Sequence, residues 1–489
     1  MRLRFAAPLV LLAGVIHTAA FAPLEAWYLQ IFALALLARL TWSATPRQAA
    51  LLGGLFGLAW MSSGFWWIHV SLHQFGHLPW PLAAIAVLLL AAFLSCYYAG
   101  AMALAARLTA PDAKPFWRMA VWSACWLLAE LGRATLLTGF PWIAAGYAHT
   151  VGPLAAWAPW IGVYGISALA AAIALALAGL SLGSWRPAAA MLALLGLGSL
   201  LPQDFSRSTG VLRVSLLQPN VAQDQKFDRD LMDANLERLA LQIEAARGQV
   251  VVTPESVVPL PLDYLDAVFL QRMERVAQQR PILLGSFLGD ERRGYVNSLV
   301  GFGGPQAYDY GKRHLLPFGE FIPPGFHWFV SALRIPLDDQ ARGQHQRSFD
   351  VAGQRLRPLI CYEDLFGEDF VGSVVGEQAA TLLVNVSNLA WFGTLMVQDQ
   401  HLQFSQMRAL EFQRPVIRAT NTGATAVVNH RGLVTARLAP AVAGLLEAEV
   451  EGRSGSTPYA RWLQAFGQWP LWLAVTLVLG LAWWRRRAS

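Results

Sequence analysis

Two hydrophobic patterns divide the chain. Up to residue 202, apolar residues run in long stretches with few breaks. A bilayer-crossing helix needs about 20 mostly apolar residues. Such runs cover 6–21, 25–42, 48–69, 80–107, 117–137, 159–183 and 186–202, and another covers 467–484. About eight transmembrane helices are therefore expected. The first run leads through FAPLEAW straight into the second, with no small-residue cleavage site before polar sequence, so it reads as a retained helix. Beyond Pro202, short β-rich runs alternate with amphipathic stretches. Strands are expected at 211–218, 249–253, 282–288, 297–302, 356–362, 381–387, 416–420 and 425–429, with helices near 229–246, 264–279 and 399–413. That alternation predicts an α/β domain. The expected division is a seven-helix membrane domain over 1–202, a catalytic domain over 203–466, and a last helix with a basic tail over 467–489.

Composition sharpens the picture. Hydrophobic residues make up 55% and charged residues 14%, with mean hydropathy +0.40. Soluble globular proteins carry about 25% charged residues. Disorder is excluded, and 3 Cys in 489 residues exclude a disulfide scaffold. Residues 1–202 hold 9 Lys/Arg and 3 Asp/Glu; the remainder holds 28 of each. The excess positive charge therefore flanks the apolar runs, which argues against nucleic-acid binding. Arg2, Arg4, Arg39, Arg47, Arg107, Lys114, Arg118, Arg186 and Arg485–Arg487 fall at alternate helix ends, while 71–79 and 138–158 lack Lys and Arg. By the positive-inside rule both termini are expected in the cytoplasm and the α/β domain outside, in the periplasm of a Gram-negative cell.

Several features allow a structural or a functional reading. Glu130 and Arg133, spaced i,i+3, are either a mutually neutralising pair facing the bundle or a lipid head-group contact. The aromatic segments 66–76 and 138–147 are interface anchors or a lipid entrance. His69, His73 and His77 lack an accompanying carboxylate or Cys, so no metal is expected.

Cys96 and Cys125 lie inside apolar runs, which leaves Cys361 as the one Cys of the external domain. It follows the apolar run RPLI. Glu255 follows VVVTP, and Lys312 lies in YDYGKRHLLPFGE. Strand ends in a parallel α/β sheet are where sites gather. A thiol needs a base before it attacks a carbonyl, and a Lys ammonium suits the developing oxyanion. The chain has no GxGxxG, P-loop, CxxC pair, repeat or low-complexity tract.

TPES (253–256), KRHLLPFGEFIP (312–323) and ICYED (360–364) resemble the Glu-Lys-Cys signature of the nitrilase, or carbon–nitrogen hydrolase, superfamily. Joined to the apolar runs at both ends, the chain resembles the apolipoprotein N-acyltransferase family over almost its whole length. QPNVAQDQKFD (218–228), NVSNLAWFG (385–393), QHLQ (400–403), RPVIRATNTGATA (414–426), SGFWWIHVS (63–71) and the Glu130–Arg133…TGFPW stretch are also similar to it. The resemblance implies an αββα sandwich with Cys361 as nucleophile and Glu255 as general base. Lys312, with the Tyr362 N–H, would stabilise the oxyanion. Glu320 and Glu363 would be supporting carboxylates, with Asn297 and Tyr362 near the acyl intermediate. It implies no cofactor and no metal. The donor would be a membrane phospholipid, typically phosphatidylethanolamine, and the acceptor a diacylated apolipoprotein at the bacterial inner membrane. Thr253, Phe227 and Leu389 depart from the family, which commonly has Trp, Trp and Asp there.

Two other functions suit parts of the pattern. A membrane-tethered amidase would use the same three residues with water as second nucleophile. A non-enzymatic lipid transporter would not need the set intact. An apolar cover over the thioester is expected from Phe318, Phe321, Ile322, Phe326, Trp328 and Phe329, with Trp391 and Phe392. Pro323, Pro324 and Gly325 suggest that it is a loop.

Overall fold

The computed structural model describes residues 3–110, 113–180, 185–328 and 339–488. The chain forms two compact units. One comprises Met1–His73, His77–Gln203 and Ala465–Ser489, and the other Asp204–Gln464 with Gln74–Gly76.

All eight apolar runs of the first unit are helical: Leu3–Thr18, Trp27–Thr41, Pro46–Gly64, Trp80–Leu108, Pro115–Thr135, Ala158–Ala178, Arg186–Leu200 and Trp469–Ala488. Among the described residues, Trp80–Leu108 and Pro153–Ala178 are each long and apolar enough to cross a membrane, and the number rises to four only if each of two bent helix pairs is one span. Leu3–Thr18, Trp27–Thr41 and Arg186–Leu200 are apolar but shorter. Pro115–Thr135 carries Arg118, Glu130 and Arg133, which lower its hydropathy.

Glu130 and Arg133 are buried and paired at 3.4 Å. Arg133 also donates to the carbonyls of Phe140 and Trp142 at 2.9 and 2.8 Å. Glu130 accepts from Tyr98 Oη at 2.6 Å and from Ala145 N at 3.2 Å. The pair thus faces the bundle and fastens the 140–145 segment to the helix. His69 and His73 each bond a backbone carbonyl, of Trp80 and Leu78 respectively. The helix gives way to a π-turn at Ser71, so the three histidines do not share one α-helical face.

The second unit holds two six-stranded sheets. In the first, β1 (Ser206–Gln218), β2 (Val250–Val252) and β3 (Ile282–Asp290) are parallel. β4 (Gly294–Phe302) and β5 (Tyr308–Gly311) extend that sheet by antiparallel pairing. In the second sheet β6 (Phe349–Val351) pairs antiparallel with β7 (Gln354–Ile360), and β8 (Leu382–Ser387) and β9 (Val416–Thr420) continue it in parallel. β10 (Ala426–Val428) and β11 (Val434–Arg437) close its far edge, and β12 (Gly444–Gly455) returns antiparallel to β1.

Leu212, Val214 and Leu216 of β1 share a fully buried core with Leu356, Ile360, Leu382 and Val384 of the other sheet. The helices Arg229–Ala245 and Ala267–Ala277 cover the outer face of the first sheet. Val397–Phe412 and Pro458–Phe466 cover the second. The layers run α-β-β-α, as apolar residues on both faces of the parallel strands require. The expected strand 356–362 ends at Ile360. Cys361 has φ +54°, and a 3₁₀ turn over Cys361–Leu365 follows.

Candidate active site

β2, β5, β7, β8 and β9 end on the same side of their sheets, and the polar residues gather there. Glu255 lies three residues past β2, in a turn that packs against β3. A side chain at Gly285 would put its Cβ 2.0 Å from the Pro254 carbonyl, so only glycine lets the turn come this close. Lys312 directly follows β5, and its N–H donates to the Asn297 carbonyl in β4 at 2.8 Å. Cys361 directly follows β7. Ser256 and Cys361 both have positive φ, at +44° and +54°. Non-glycine residues adopt that region at a cost and concentrate at functional sites.

Lys312 is 1% exposed, Glu255 6% and Glu320 8%. Lys312 Nζ lies 2.6 Å from Glu320 Oε1 and 3.5 Å from Glu255 Oε1. Asn297 Nδ2 donates to Glu255 Oε1 at 2.7 Å, and Asn388 N donates to Glu255 Oε2 at 2.8 Å. Glu320 Oε2 accepts from Leu316 N at 2.8 Å. Glu255, Lys312, Glu320 and Asn297 are thus joined by direct bonds.

The Cys361 thiol is close enough to feel all three charges. Burial pushes its pKa well above the ordinary value, Glu255 adds to this, and Lys312 opposes it. The resting sulfur is therefore a neutral thiol that needs a base. Burial pulls the Lys312 ammonium down, but Glu320 and then Glu255 outweigh it and keep Lys312 charged. Burial also lifts Glu320 above the usual carboxylate range, against the pull of Lys312.

Glu363 lies apart from this cluster. Its Oε2 accepts from Tyr310 Oη at 2.7 Å and Ile360 N at 2.8 Å, and its Oε1 from Arg313 N at 2.7 Å and His314 N at 3.2 Å. Four donors satisfy the carboxylate, which splints the Cys361 turn to the Lys312 segment. The Tyr362 ring is 1% exposed and packs against His314 and Phe366.

Sequence reading gave no individual role to several residues around the site. Asn388 Nδ2 donates to Gln223 Oε1 at 2.8 Å, and Asn421 Nδ2 donates to Asn388 Oδ1 at 3.0 Å. These bonds sew 220–226 to the ends of β8 and β9. Lys226 is buried beside Glu255. On the other side of Cys361, Asp364 accepts from Ser405 Oγ at 2.8 Å and from Arg418 Nη1 at 3.2 Å. Burial raises the Asp364 carboxyl to about 6 against the pull of Arg418. The segments QKFD, NVSN and RATN marked these places, but nothing in them says which atoms meet.

Of the apolar cover, Phe318, Phe326 and Trp328 are exposed, at 43%, 47% and 70%, and Phe318 meets Phe326 edge-on at 5.3 Å. They are not core. Phe321, Ile322 and Phe392 are half-buried, and Trp391 is 37% exposed. Phe329 lies outside the described residues.

The family model for the apolipoprotein N-acyltransferase N-terminal domain matches residues 13–176, and that for carbon-nitrogen hydrolase matches 213–459. An apolipoprotein N-acyltransferase of Ralstonia nicotianae is 45% identical, across 100% of this chain and 95% of its own. One of Verminephrobacter eiseniae is 44% identical, across 94% and 93%. The chain belongs to the apolipoprotein N-acyltransferase family. A further relative in that family, from Bordetella bronchiseptica, is 41% identical across 96% of this chain and 94% of its own.

Of the three departures expected from the family resemblance, Leu389 and Thr253 have local accounts. Leu389 is 1% exposed, in a place where an unpaired carboxylate would be costly. What the site takes from this segment is the N–H of Asn388, which any residue at 389 leaves intact. Thr253 is fully buried, and its Oγ1 accepts from Gly285 N at 2.9 Å, fixing the Glu255 turn to β3. Phe227 is half exposed, at 50%, beside buried Lys226.

Proposed function

We propose that the chain moves a fatty acyl group from a membrane phospholipid to the N-terminal amine of a diacylglyceryl-cysteine apolipoprotein, with Glu255, Lys312 and Cys361 as its catalytic residues. As a family member it is an N-acyltransferase of lipoprotein maturation. The observation that carries the residue assignment is the buried Glu255–Lys312–Glu320 cluster beside a thiol held at positive φ.

Glu255 takes the proton as Cys361 Sγ bonds to the ester carbonyl carbon. The carbonyl electrons move to oxygen, where Lys312 and the Tyr362 N–H stabilise them. Collapse breaks the C–O ester bond, and the lysophospholipid leaves with the proton from Glu255. The apolipoprotein amine then attacks the thioester, Glu255 takes its proton, and collapse returns that proton to Cys361 with the amide formed. Glu320 balances Lys312 while the oxyanion comes and goes.

An amidase would share the triad. The match to the apolipoprotein N-acyltransferase N-terminal domain over 13–176 favours transfer. The arginines at alternate helix ends support eight crossings of the inner membrane, with both termini cytoplasmic and 203–466 in the periplasm.

The deciding experiment incubates purified protein with phosphatidylethanolamine and reads the mass of the Cys361 peptide, then adds a diacylated lipopeptide. An acyl adduct that discharges to triacylated lipopeptide is expected. Bulk fatty-acid release without amide would point to the amidase instead.

A further inference from the structure

Cys361 and its partners gather at the carboxyl ends of the parallel strands, and a basic cavity lies at the amino ends. Its volume is about 520 Å³, inside the range of about 300–1,000 Å³ usual for ligand pockets. Arg213 of β1, Arg247 just ahead of β2 and Arg280 just ahead of β3 all line it. The β6–β7 hairpin of the other sheet walls it through Asp350 and Ala352.

The charges in this cavity are unmatched. Among the described residues, none of the three arginines forms an ion pair. Glu449 stands opposite Arg213 in the β1–β12 pairing without bonding it. Glu447 accepts from Ser215 Oγ at 2.7 Å with one oxygen and from the Arg247 N–H at 2.9 Å with the other. Asp350 is the one carboxylate in the lining. Its side chain is 63% exposed and lies 3.7 Å from Arg355 Nε. Three guanidiniums, which stay charged at any working pH, therefore meet a single carboxylate.

The main chain that carries them is fixed. Gly248 N donates to Ser215 Oγ at 2.7 Å, Gln249 N donates to the Arg213 carbonyl at 2.7 Å, and Arg213 N donates to Gln249 Oε1 at 3.0 Å. A Cβ at Gly248 would lie 2.7 Å from Ser215 N, so only glycine allows this approach. Ala352 and Gly353, at φ +48° and +76°, form the two-residue turn that sets the opposite wall. Arg280 Nη1 donates to the Ala246 carbonyl, and its buried Nε–H has no partner among the described residues. Capping the helix that ends at Ala245 accounts for Arg280 alone. Arg213 and Arg247 are exposed, and their side chains bond nothing among the described residues.

We infer that this cavity binds a phosphate ester. A guanidinium fork pairs with two oxygens at once. A carboxylate offers two oxygens, which one fork occupies, whereas three forks in one cavity suit a group with more. The volume leaves room beside the phosphate for a small organic part such as glycerol. Glycerol phosphate chemistry is shared by a phospholipid head group and a free phosphate ester. The inference is independent of the role given to Cys361.

The test titrates the full-length protein in detergent with glycerol 3-phosphate at constant ionic strength, read by calorimetry. Saturable binding is expected, with none for acetate at the same concentrations. Arg213→Gln and Arg247→Gln should each weaken it about tenfold or more, as loss of a charge-assisted bond does, while melting without ligand matches wild type. Gln279→Glu, which adds a carboxylate to the lining, should also weaken it, and carries the test if an arginine variant does not fold. Dihexanoyl phosphatidic acid separates the two sources. Tighter binding than glycerol 3-phosphate assigns the site to a lipid head group, and equal or weaker binding assigns it to a free phosphate ester. Absence of saturable binding, equal binding of acetate, or an affinity unchanged in the variants overturns the proposal. So does tighter binding of an oligoglutamate peptide, which would make the occupant an acidic protein segment.

Discussion

Replacing Lys312 with Met tests the electrostatics of the site most directly. In the native protein its ammonium lies 2.6 Å from one carboxylate and 3.5 Å from another, in surroundings at most 8% exposed. Met fills similar volume and removes the charge. Two effects follow. The oxyanion loses a donor, which in comparable sites costs about 10²–10³ in rate, or about 2.7–4 kcal/mol. Glu255 and Glu320 also face each other without their shared cation. Burial already holds Glu320 high, and Lys312 is the main pull against it beside the Leu316 N–H, so Glu320 is the group that takes up a proton. That protonation relieves the repulsion, so the stability loss should fall below the about 3–5 kcal/mol typical of breaking a buried pair. The assay is quenched single-turnover acylation read by intact-protein mass, with a melting curve on the same sample. The expected result is acylation slowed at least about 10²-fold in protein that still melts cooperatively. Acylation within about tenfold of wild type, with Cys361→Ala inactive in parallel, would refute the role given to Lys312 and leave the oxyanion to backbone donors.

Cys361→Ala should form no acyl-enzyme, while Cys96→Ala and Cys125→Ala remain active; an adduct persisting in Cys361→Ala ends the nucleophile assignment. A phosphatase reporter fused near residue 210 should be active and one fused after Ser489 inactive, and the reverse pattern would overturn the orientation. Arg418→Met should destabilise the catalytic unit by about 3–5 kcal/mol, because Asp364 loses its arginine and is left with the Ser405 bond and the His401 ring at 3.7 Å; an unchanged melting temperature would show that the Asp364–Arg418 pair contributes nothing. Trp328→Ala removes a side chain that is 70% exposed, so melting should hold while the acyl-enzyme loses its chain to water faster. Unchanged hydrolysis there rejects the apolar cover.

What the sequence reveals about this fold depends on how each residue acts. Glu255, Lys312 and Cys361 stand out because each is a polar residue at the end of an apolar β-run, and strand ends are legible from periodicity. β5 and β6 were missed: at 4 and 3 residues they are too short to carry a period. β12 was missed for another reason. In GLLEAEVEGRSG only Val450 and Gly452 are buried, so the run reads as a polar surface until it is laid against β1.

The supporting residues are hidden more deeply. Asn388 contributes its backbone N–H to Glu255, 133 positions away, and its side chain to Gln223, 165 positions away. A main-chain contribution leaves no trace in residue type, and the identity of the residue next door, Leu389, does not touch that bond. Glu363 and Asp364 make the same point from the other side. Adjacent acids in ICYED look alike, yet one is saturated by four donors, three of them 49, 50 and 53 positions away, while the other is held by Ser405 and Arg418, 41 and 54 positions on. Their difference is created by the strands that bring partners to them. Mutating the partner, Arg418, therefore tells more about Asp364 than mutating the acid itself.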